Sequence, residues 1–225
     1  MSYPPDQRVQ GCWEYMIQMH KHLIRKKFLS QRRDLLPSDV NSLSNLININ
    51  LKQEAFFNKC ENLVSFFAID NEPNLLIPRN KKILLPKIDD EELSFHIKTD
   101  QLVTNKYGIK EPLNNESYPI SEIQLILIPF IAFNTNLYRI GYGGGYYDRT
   151  LQKIATTKTG PKLWGIGYDF QKINTNFQNS DHEKLKILEN KNSKNINIDK
   201  LNKNCDFLFN ESKFSELFKL LKKNS

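Results

Sequence analysis

Long apolar runs are missing from this 225-residue sequence. The longest, Ile123 to Phe133, is interrupted by Gln124 and Pro129, whereas a helix that crosses a bilayer needs about 20 consecutive apolar residues. The N-terminal segment carries charged side chains, Asp6 and Arg8 among them, and lacks the apolar core of a secretory signal. We therefore expect a cytoplasmic protein with no membrane partner.

Cysteine is also scarce. The three cysteines, Cys12, Cys60 and Cys205, are odd in number and far apart along the chain. This spacing fits neither a disulfide framework nor a zinc site. A reducing compartment is the simplest home for such a chain.

Arginine and alanine are rare beside lysine and asparagine: 7 Arg and 4 Ala stand against 25 Lys and 25 Asn. The net charge of +7 suits a polyanion partner, and a basic nucleic-acid-binding module stays open as an alternative. The lysines are spread along the chain, however, which is typical of a solvated surface produced by compositional drift. The few arginines are more informative, because arginine suits bidentate recognition of anions. We expect no nucleic-acid partner.

The apolar pattern predicts a single α/β domain, with a mainly parallel sheet flanked by helices. Residues 1–12 form a loose leader in this prediction, residues 1–19 an N-terminal extension whose order the sequence leaves open, and residues 20–225 the domain. Continuous apolar runs of the kind buried on both faces of a sheet predict the strands. The predicted helices are Trp13 to Leu35, Ser38 to Lys59, one beginning after the glycine-rich segment and a closing one near Phe214 to Leu221; the predicted strands are 63–69, 82–85, 125–128, 163–167 and 206–209.

A glycine-rich segment is the strongest local signal. The run from Arg139 to Arg149 reads RIGYGGGYYDR and contains four of the nine glycines in the chain. Successive glycines let backbone N–H groups converge on an anion, and the helix predicted to follow adds a partial positive charge. Arg139 and Arg149 are placed to neutralise phosphate oxygens. The alternative is a flexible surface turn.

Asp148 is a carboxylate beside this predicted phosphate cradle. It is either a ligand of Mg²⁺, which proteins commonly hold by one or two carboxylates plus substrate phosphates, or a helix-start residue that complements the helix dipole. The first helix places Lys21, Arg25 and Arg32 along the flank of its apolar face. Their heads either reach into a cleft or snorkel to solvent.

Two longer motifs resemble the signature of the 5-formyltetrahydrofolate cyclo-ligase family. They are Ile128-Pro-Phe-Ile-Ala-Phe133 and the run from Arg139 to Arg149. The Lys21-x-x-x-Arg25 pattern and Leu84-Leu-Pro-Lys87 are also similar to the family, and residues from about 20 to 212 can be matched in order. The resemblance implies an α/β enzyme that converts 5-formyltetrahydrofolate to 5,10-methenyltetrahydrofolate. It also implies ATP as co-substrate, Mg²⁺ as cofactor, and a phosphorylated formyl intermediate. We expect a monomer.

The resemblance also implies the roles of individual residues. Arg139 and Tyr147 are the candidate catalytic residues. The implied ATP-binding residues are Lys21, Arg25, Arg139, Gly141, Tyr142, Gly143, Gly144, Gly145, Tyr146 and Tyr147. The implied folate-binding residues are Phe67, Glu72, Tyr142, Gly143, Gly144, Gly145 and Tyr146. The implied metal ligands are Asp148 and Glu183. Read without the resemblance, Glu72 is a solvated turn residue and Phe67 a core ring.

One departure from the family pattern affects the metal site. The family has a His-Asp pair where this chain has His182-Glu183, and the extra methylene of Glu183 changes its reach. A relative that binds folate or nucleotide without turnover is therefore a further alternative. Trp164 and the loop tyrosines either stack on a ligand ring or pack in the core.

Overall fold

The computed structural model describes the backbone of residues 5–113, 116–134, 138–155, 160–173 and 186–188. Side chains are described for residues 18–113, 116–134, 138–154 and 160–173. All of these residues belong to one compact unit that spans residues 1–193. The predicted strand at 206–209, the predicted closing helix and Glu183 lie outside the described residues.

Helices precede the sheet in the chain and then alternate with its strands. The helices are α1 (Pro5–Arg33), α2 (Pro37–Gln53), α3 (Ala55–Lys59) and α4 (Tyr146–Ala155), with short 3₁₀ turns at Ile120–Glu122 and Asp169–Gln171. The strands are β1 (Asn62–Val64), β2 (Lys82–Asp89), β3 (Glu92–Ile97), β4 (Leu102–Thr104), β5 (Lys110–Pro112), β6 (Leu125–Pro129), β7 (Ala132–Asn134), β8 (Arg139–Ile140), β9 (Lys162–Ile166), β10 (Lys172–Ile173) and β11 (Lys186–Leu188).

The main sheet has six strands in the order β11-β9-β6-β1-β2-β3. The first four pairings are parallel, and only β2 and β3 pair antiparallel. Leu63 of β1 stands opposite Ile83 on one side and Leu125 on the other. Two small sheets, β10-β7-β8 and β4-β5, complete the described strands. The predicted α/β class with a mainly parallel sheet is confirmed.

The core lies on both faces of the central strands. Leu125 to Ile128 of β6 are all fully buried, as expected for a strand covered on both faces. On one side, Leu151 and Ile154 of α4 pack against Val64 and Ile126 of the sheet. A second cluster joins Ile24 and Phe28 of α1 to Ile131, Ala132 and Ile140. Through this second cluster, α1 is held against the segments that follow β6.

Several predicted bounds are wrong. Helix α1 begins at Pro5, so residues 5–12 are not a loose leader; proline suits the first position of a helix. The helix passes the proposed boundary between residues 19 and 20 without a break, and that boundary stays a prediction. The single helix predicted up to Lys59 is interrupted by the extended backbone of Glu54, where the Asn58 side chain donates to the carbonyl of Lys52.

The strand bounds differ from prediction in two places. Strand β1 ends at Val64, and the chain then leaves the sheet toward the site, so 65–69 is not strand. Strand β2 continues through Pro86 to Asp89, paired with the unpredicted strand β3. Pro86 is tolerated because the edge that lacks its N–H is the one that β1 has already left.

Candidate active site

The candidate site lies where two neighbouring parallel strands, β1 and β6, reach their carboxyl ends. The chain after β1 carries Glu72, and the chain after β6 leads through β7 and β8 into the glycine loop. Carboxyl ends of adjacent parallel strands share one edge of a sheet, where ligands of open α/β sheets commonly bind. Glu72 and the glycine loop, the two predicted parts of the site, therefore lie at the same edge of the sheet.

The glycine loop, residues 141–145, joins β8 to the first turn of α4. Gly143 and Gly145 have φ angles of +104° and +70°, a region that side chains disfavour. A Cβ on Gly144 would lie 2.7 Å from the Tyr146 ring. The loop thus needs glycine for backbone conformation as well as for space, which a surface turn under no constraint does not require.

Cationic side chains line this loop. Arg25 of α1 donates from Nε to the carbonyl of Gly141 at 2.7 Å, and Lys21 lies partly buried one turn earlier on the same helix. The Arg139 side chain is 5% exposed and its Nη2 lies 2.5 Å from Oδ1 of Asp148. Burial lowers the pKa of Arg25, and the charge of Asp148 counteracts that shift. The structure thus brings Arg25, Arg139 and Asp148 together at the glycine loop, and the role of Lys21 there stays a prediction.

Arg149 has a different partner from the one predicted. Its Nε donates to the carbonyl of Glu91 at 2.6 Å, and its Nη2 donates to the carbonyl of Gly144 at 3.0 Å. The guanidinium also lies 5.2 Å from the centre of the Tyr146 ring. Arg149 therefore links the glycine loop to the turn between β2 and β3 through backbone oxygens, and its contact with phosphate stays a prediction.

Glu72 is buried beside the glycine loop, with 1% of its side chain exposed. Its Oε2 accepts from the backbone N–H of Ile69 at 3.2 Å, and its Oε1 accepts from the Tyr142 hydroxyl at 3.2 Å. Nη2 of Arg32 lies 3.5 Å from Oε1. Burial raises the pKa of Glu72 to about 7, against the lowering effect of Arg32. The solvated-turn alternative for this residue is wrong.

The backbone that presents Glu72 is strained. Asp70 and Asn71 adopt φ angles of +47° and +58°, which non-glycine residues rarely do. Nδ2 of Asn71 donates to the carbonyls of Arg32, Arg33 and Leu35 at 3.0 to 3.2 Å. Asn71 therefore ties this turn to the C-terminal end of α1, a role that sequence reasoning missed. Asparagine's tolerance of the left-handed region was the available signal.

The aromatic residues divide between site and core. Tyr142 is 42% exposed at the loop, and Tyr146 shares a hydrogen bond of 2.7 Å with the hydroxyl of Tyr107. The pKa of Tyr147 is raised by burial and by Glu72 but lowered by Arg139, whose guanidinium carbon lies 6.0 Å from the centre of the Tyr147 ring. Trp164 is buried in β9 against Phe56 and is a core residue.

Phe67 lies partly buried in the segment between β1 and Glu72. The ammonium group of Lys98 is 5.8 Å from the centre of its ring. Phe67 belongs to the same loop as Glu72, which agrees with a shared role.

The donor set for a metal ion is small in the described residues. Within them, no three His, Cys, Asp or Glu side chains lie close enough to share an ion. Asp148 is 27% exposed at the start of α4. A single carboxylate of this kind suits Mg²⁺ that is already bound to phosphate oxygens, so the described residues fit a metal that enters with a nucleotide.

These features define an α/β protein with an arginine-bordered glycine loop at the carboxyl edge of its sheet. The model of the 5-formyltetrahydrofolate cyclo-ligase family matches residues 17–186. The 5-formyltetrahydrofolate cyclo-ligase of Mycoplasma pneumoniae is 33% identical over 165 residues, 68% of this chain and 88% of that protein. The chain therefore belongs to the 5-formyltetrahydrofolate cyclo-ligase family of enzymes, which confirms the resemblance.

Two solved structures share the fold. The NMR structure of the 5,10-methenyltetrahydrofolate synthetase of Aquifex aeolicus has 29% identity and a TM-score of 0.66, covering 76% of this chain and 90% of its own. The 5,10-methenyltetrahydrofolate synthetase of Mycoplasma pneumoniae has 23% identity and a TM-score of 0.61, covering 75% and 97%. Among the described helices, none is both long and apolar enough to span a membrane.

Proposed function

We propose that this protein converts 5-formyltetrahydrofolate to 5,10-methenyltetrahydrofolate, with ATP and Mg²⁺, and releases ADP and phosphate. Family membership supports the folate reaction. The observation that carries the assignment is the meeting of two different subsites at one sheet edge. The glycine loop with Arg25 and Arg139 suits phosphate, and the buried Glu72 carboxylate beside Tyr142 suits a polar ring edge.

Lys21, Arg25 and Arg139 are proposed to hold the triphosphate, together with the backbone from Gly141 to Tyr147. The support is electrostatic. Two guanidinium groups and the N-terminus of α4 surround a loop whose glycines expose backbone N–H groups, and each of these attracts phosphate oxygens. Asp148 supplies the only opposing charge that the described contacts place on Arg139.

Glu72 is proposed to bind the pterin of the folate, with Phe67 lining the same pocket. An ionised carboxylate only accepts hydrogen bonds, so it pairs with the N–H donors on the edge of a pterin. Tyr142, Gly143, Gly144, Gly145 and Tyr146 are proposed to border this ligand as well. The contact between Tyr142 and Glu72 supports one loop that serves both substrates.

Positioning and charge neutralisation account for the chemistry. The formyl oxygen attacks the γ-phosphorus of ATP, and ADP leaves. The neighbouring N10 then attacks the formyl carbon, loses its proton, and phosphate departs with the former formyl oxygen. Phosphoryl transfer of this kind needs no protein nucleophile. Arg139 is proposed to neutralise the phosphoryl charge, and Tyr147 to contact the reacting groups between Arg139 and Glu72.

Asp148 and Glu183 are proposed to hold Mg²⁺ with the nucleotide phosphates. When bound there, the ion neutralises phosphate charge and orients the transferred group. Asp148 supplies one carboxylate oxygen set at the start of α4. Glu183 provides the second ligand in this proposal, and its role rests on the resemblance alone.

The test is a coupled measurement of product and ADP. Purified protein is mixed with 5-formyltetrahydrofolate, ATP and Mg²⁺, and the absorbance of the methenyl product is followed beside ADP release. One ADP for each methenyl product supports the proposal, and ATP hydrolysis without folate is the control. Nucleotide binding without product under any metal condition identifies a binder without turnover. Salt-sensitive RNA binding without product identifies the nucleic-acid module.

A further inference from the structure

Arg32 is a fully buried arginine at the end of α1 whose three nitrogens are all engaged. Its side chain is 1% exposed. Nε donates to the carbonyl of Asp70 at 2.8 Å, and Nη1 donates to the carbonyl of Phe130 at 3.1 Å. Nη2 donates to the Tyr142 hydroxyl and lies 3.5 Å from Oε1 of Glu72. One side chain thus contacts the turn that carries Glu72, the end of β6 and the glycine loop.

Burying a guanidinium is costly unless its charge is matched and its donors are satisfied. Neutral carbonyls satisfy two of the nitrogens of Arg32, and the charge itself has one close anionic partner among the described residues, Glu72. An apolar side chain of similar volume would fill the same space without that cost. The charge is therefore explained by what it does to Glu72 and to the loop above it.

We propose that Arg32 is a positioning residue for the folate subsite: it favours the ionised form of Glu72, holds that carboxylate in place, and links it to Tyr142 of the glycine loop. This inference rests on the proposed function of Glu72. It assigns Arg32 to the folate side of the site, whereas Arg25, seven residues earlier on α1, belongs to the phosphate side.

The electrostatic surroundings of Glu72 agree with this role. Burial opposes its ionisation, and the Arg32 cation and the N–H of Ile69 favour it. The charged and titratable groups that act on Glu72 from the packed elements are Arg32 of α1, Asp70 of the same turn, Tyr142 of the loop, Tyr147 of α4 and Tyr168 after β9. Among these described groups, Arg32 alone is a cation. Without Arg32, the carboxyl group of Glu72 stays protonated, and therefore neutral, up to a higher pH. One of its two oxygens then carries a proton and donates a hydrogen bond instead of accepting one.

The experiment compares Arg32→Met and Arg32→Lys with wild type across about pH 6 to 9. We expect Arg32→Met to raise the KM for 5-formyltetrahydrofolate at least about tenfold near neutral pH, with partial recovery as the pH rises, because Glu72 ionises later. The KM for ATP should change less than about twofold. Arg32→Lys keeps the charge and should shift the pH profile less than Arg32→Met. Lys26→Met is the control, since Lys26 is an exposed cation on the same helix and should leave both KM values unchanged.

A double-mutant cycle covers the case in which Arg32→Met does not fold. Arg32→Lys is combined with Glu72→Gln, and folate binding is measured by calorimetry. If Arg32 acts through Glu72, Arg32→Lys has no further effect in the Glu72→Gln background. Equal effects in both backgrounds, or equal rises in the KM for folate and ATP with no pH dependence, overturn the inference. Absence of product from wild type counts against the proposed function instead, and folate binding then still tests Arg32.

Discussion

Arg139 and Asp148 face each other at the mouth of the glycine loop, with Nη2 of one 2.5 Å from Oδ1 of the other. The Asp148 carboxylate thus pairs with the guanidinium that is proposed to bind phosphate. A nucleotide that enters with Mg²⁺ resolves this competition, because the cation gives Asp148 a new partner and the phosphate gives one to Arg139. Substitutions at the two residues are therefore expected to differ in how their effects on ATP binding depend on the metal.

Asp148→Asn tests this relationship. It should raise the Mg²⁺ concentration needed for half-maximal turnover at least about tenfold, while metal-free ATP binds no more weakly than to wild type. Arg139→Met should weaken ATP binding with and without metal. Titration of turnover against Mg²⁺ and calorimetry of ATP binding give the two readouts. Lys153→Gln, which removes a surface ion pair between Lys153 of the same helix and Glu92 of β3, is the control; an unchanged Mg²⁺ requirement in Asp148→Asn contradicts the metal assignment.

Glu183→Asp tests the second proposed metal ligand. The substitution restores the family residue after His182, so turnover should be preserved or improved. Glu183→Gln should raise the Mg²⁺ requirement in the way that Asp148→Asn does. Steady-state kinetics against Mg²⁺ measures both, with circular dichroism to confirm folding. A folded but inactive Glu183→Asp protein speaks against the assignment.

Gly143→Ala tests whether the loop requires a residue without a side chain at this position. The φ angle of +104° opposes a side chain, and a methyl group at this position would lie 3.4 Å from Cζ of Arg25. The strain alone is about 1–2 kcal/mol, and the KM for ATP should rise. Gly108→Ala is matched in strain, with φ +77° and open space around it. It should lower the melting temperature without affecting the KM for ATP; similar kinetics for both variants would refute the idea.

The pH dependence of the folate reaction follows from Glu72. Its pKa is about 7, above the ordinary value, and the ionised form is the one proposed to accept hydrogen bonds from the pterin. The kcat/KM for 5-formyltetrahydrofolate should therefore rise with pH to a plateau above about pH 7, and fall up to about tenfold per pH unit below it. Glu72→Gln should remove this limb as well as most of the activity. A flat wild-type profile across this range contradicts the assignment.

Asn71→Gly separates capping from backbone strain. Glycine accepts the φ angle of +58° but loses three hydrogen bonds to the end of α1. We expect a loss of about 1–2 kcal/mol in the free energy of unfolding, and about 1 kcal/mol more in Asn71→Ala. Denaturant unfolding measures both. Asp90→Gly, at a φ of +50° in the turn between β2 and β3, should not destabilise; an Asn71→Gly protein as stable as wild type would disprove the cap.

Local patterns carried most of what the sequence predicted. The glycine loop lies beside Arg139 and Asp148 in the chain, and Lys21 and Arg25 are one helical turn apart, so spacing predicts each of these two groups. The contact between the groups, from Arg25 to the carbonyl of Gly141, spans 116 positions and has no local pattern. The folate side of the proposed site was harder to predict from the sequence. Glu72 and Arg32 are 40 positions apart, Tyr142 is 70 further on, and no local pattern distinguishes a buried ion pair from two solvated charges.

The missed strand has a different cause. Glu92 to Ile97 (ELSFHI) alternates polar and apolar residues at every position, which is typical of a half-buried strand. The predicted strands were continuous apolar runs, a pattern that excludes this one, although it pairs with β2 across a tight turn. Helix α1 starts earlier than predicted because its first residues resemble a loop in sequence. Pro4, Pro5 and Gly11 suggested a loop, yet proline at the first helical position costs little, and a single internal glycine costs only about 1 kcal/mol.

Helix α1 also sets the spacing of the active site. Arg25 and Arg32 are seven residues apart, so their Cα atoms are separated by about 10 Å along the axis and differ by only about 20° around it. The helix thus fixes the distance between the proposed phosphate-binding and folate-binding parts of the site. A one-residue insertion between the two arginines would rotate one of them by about 100°. A change in helix length between the two arginines should therefore disrupt the site even where both side chains are kept.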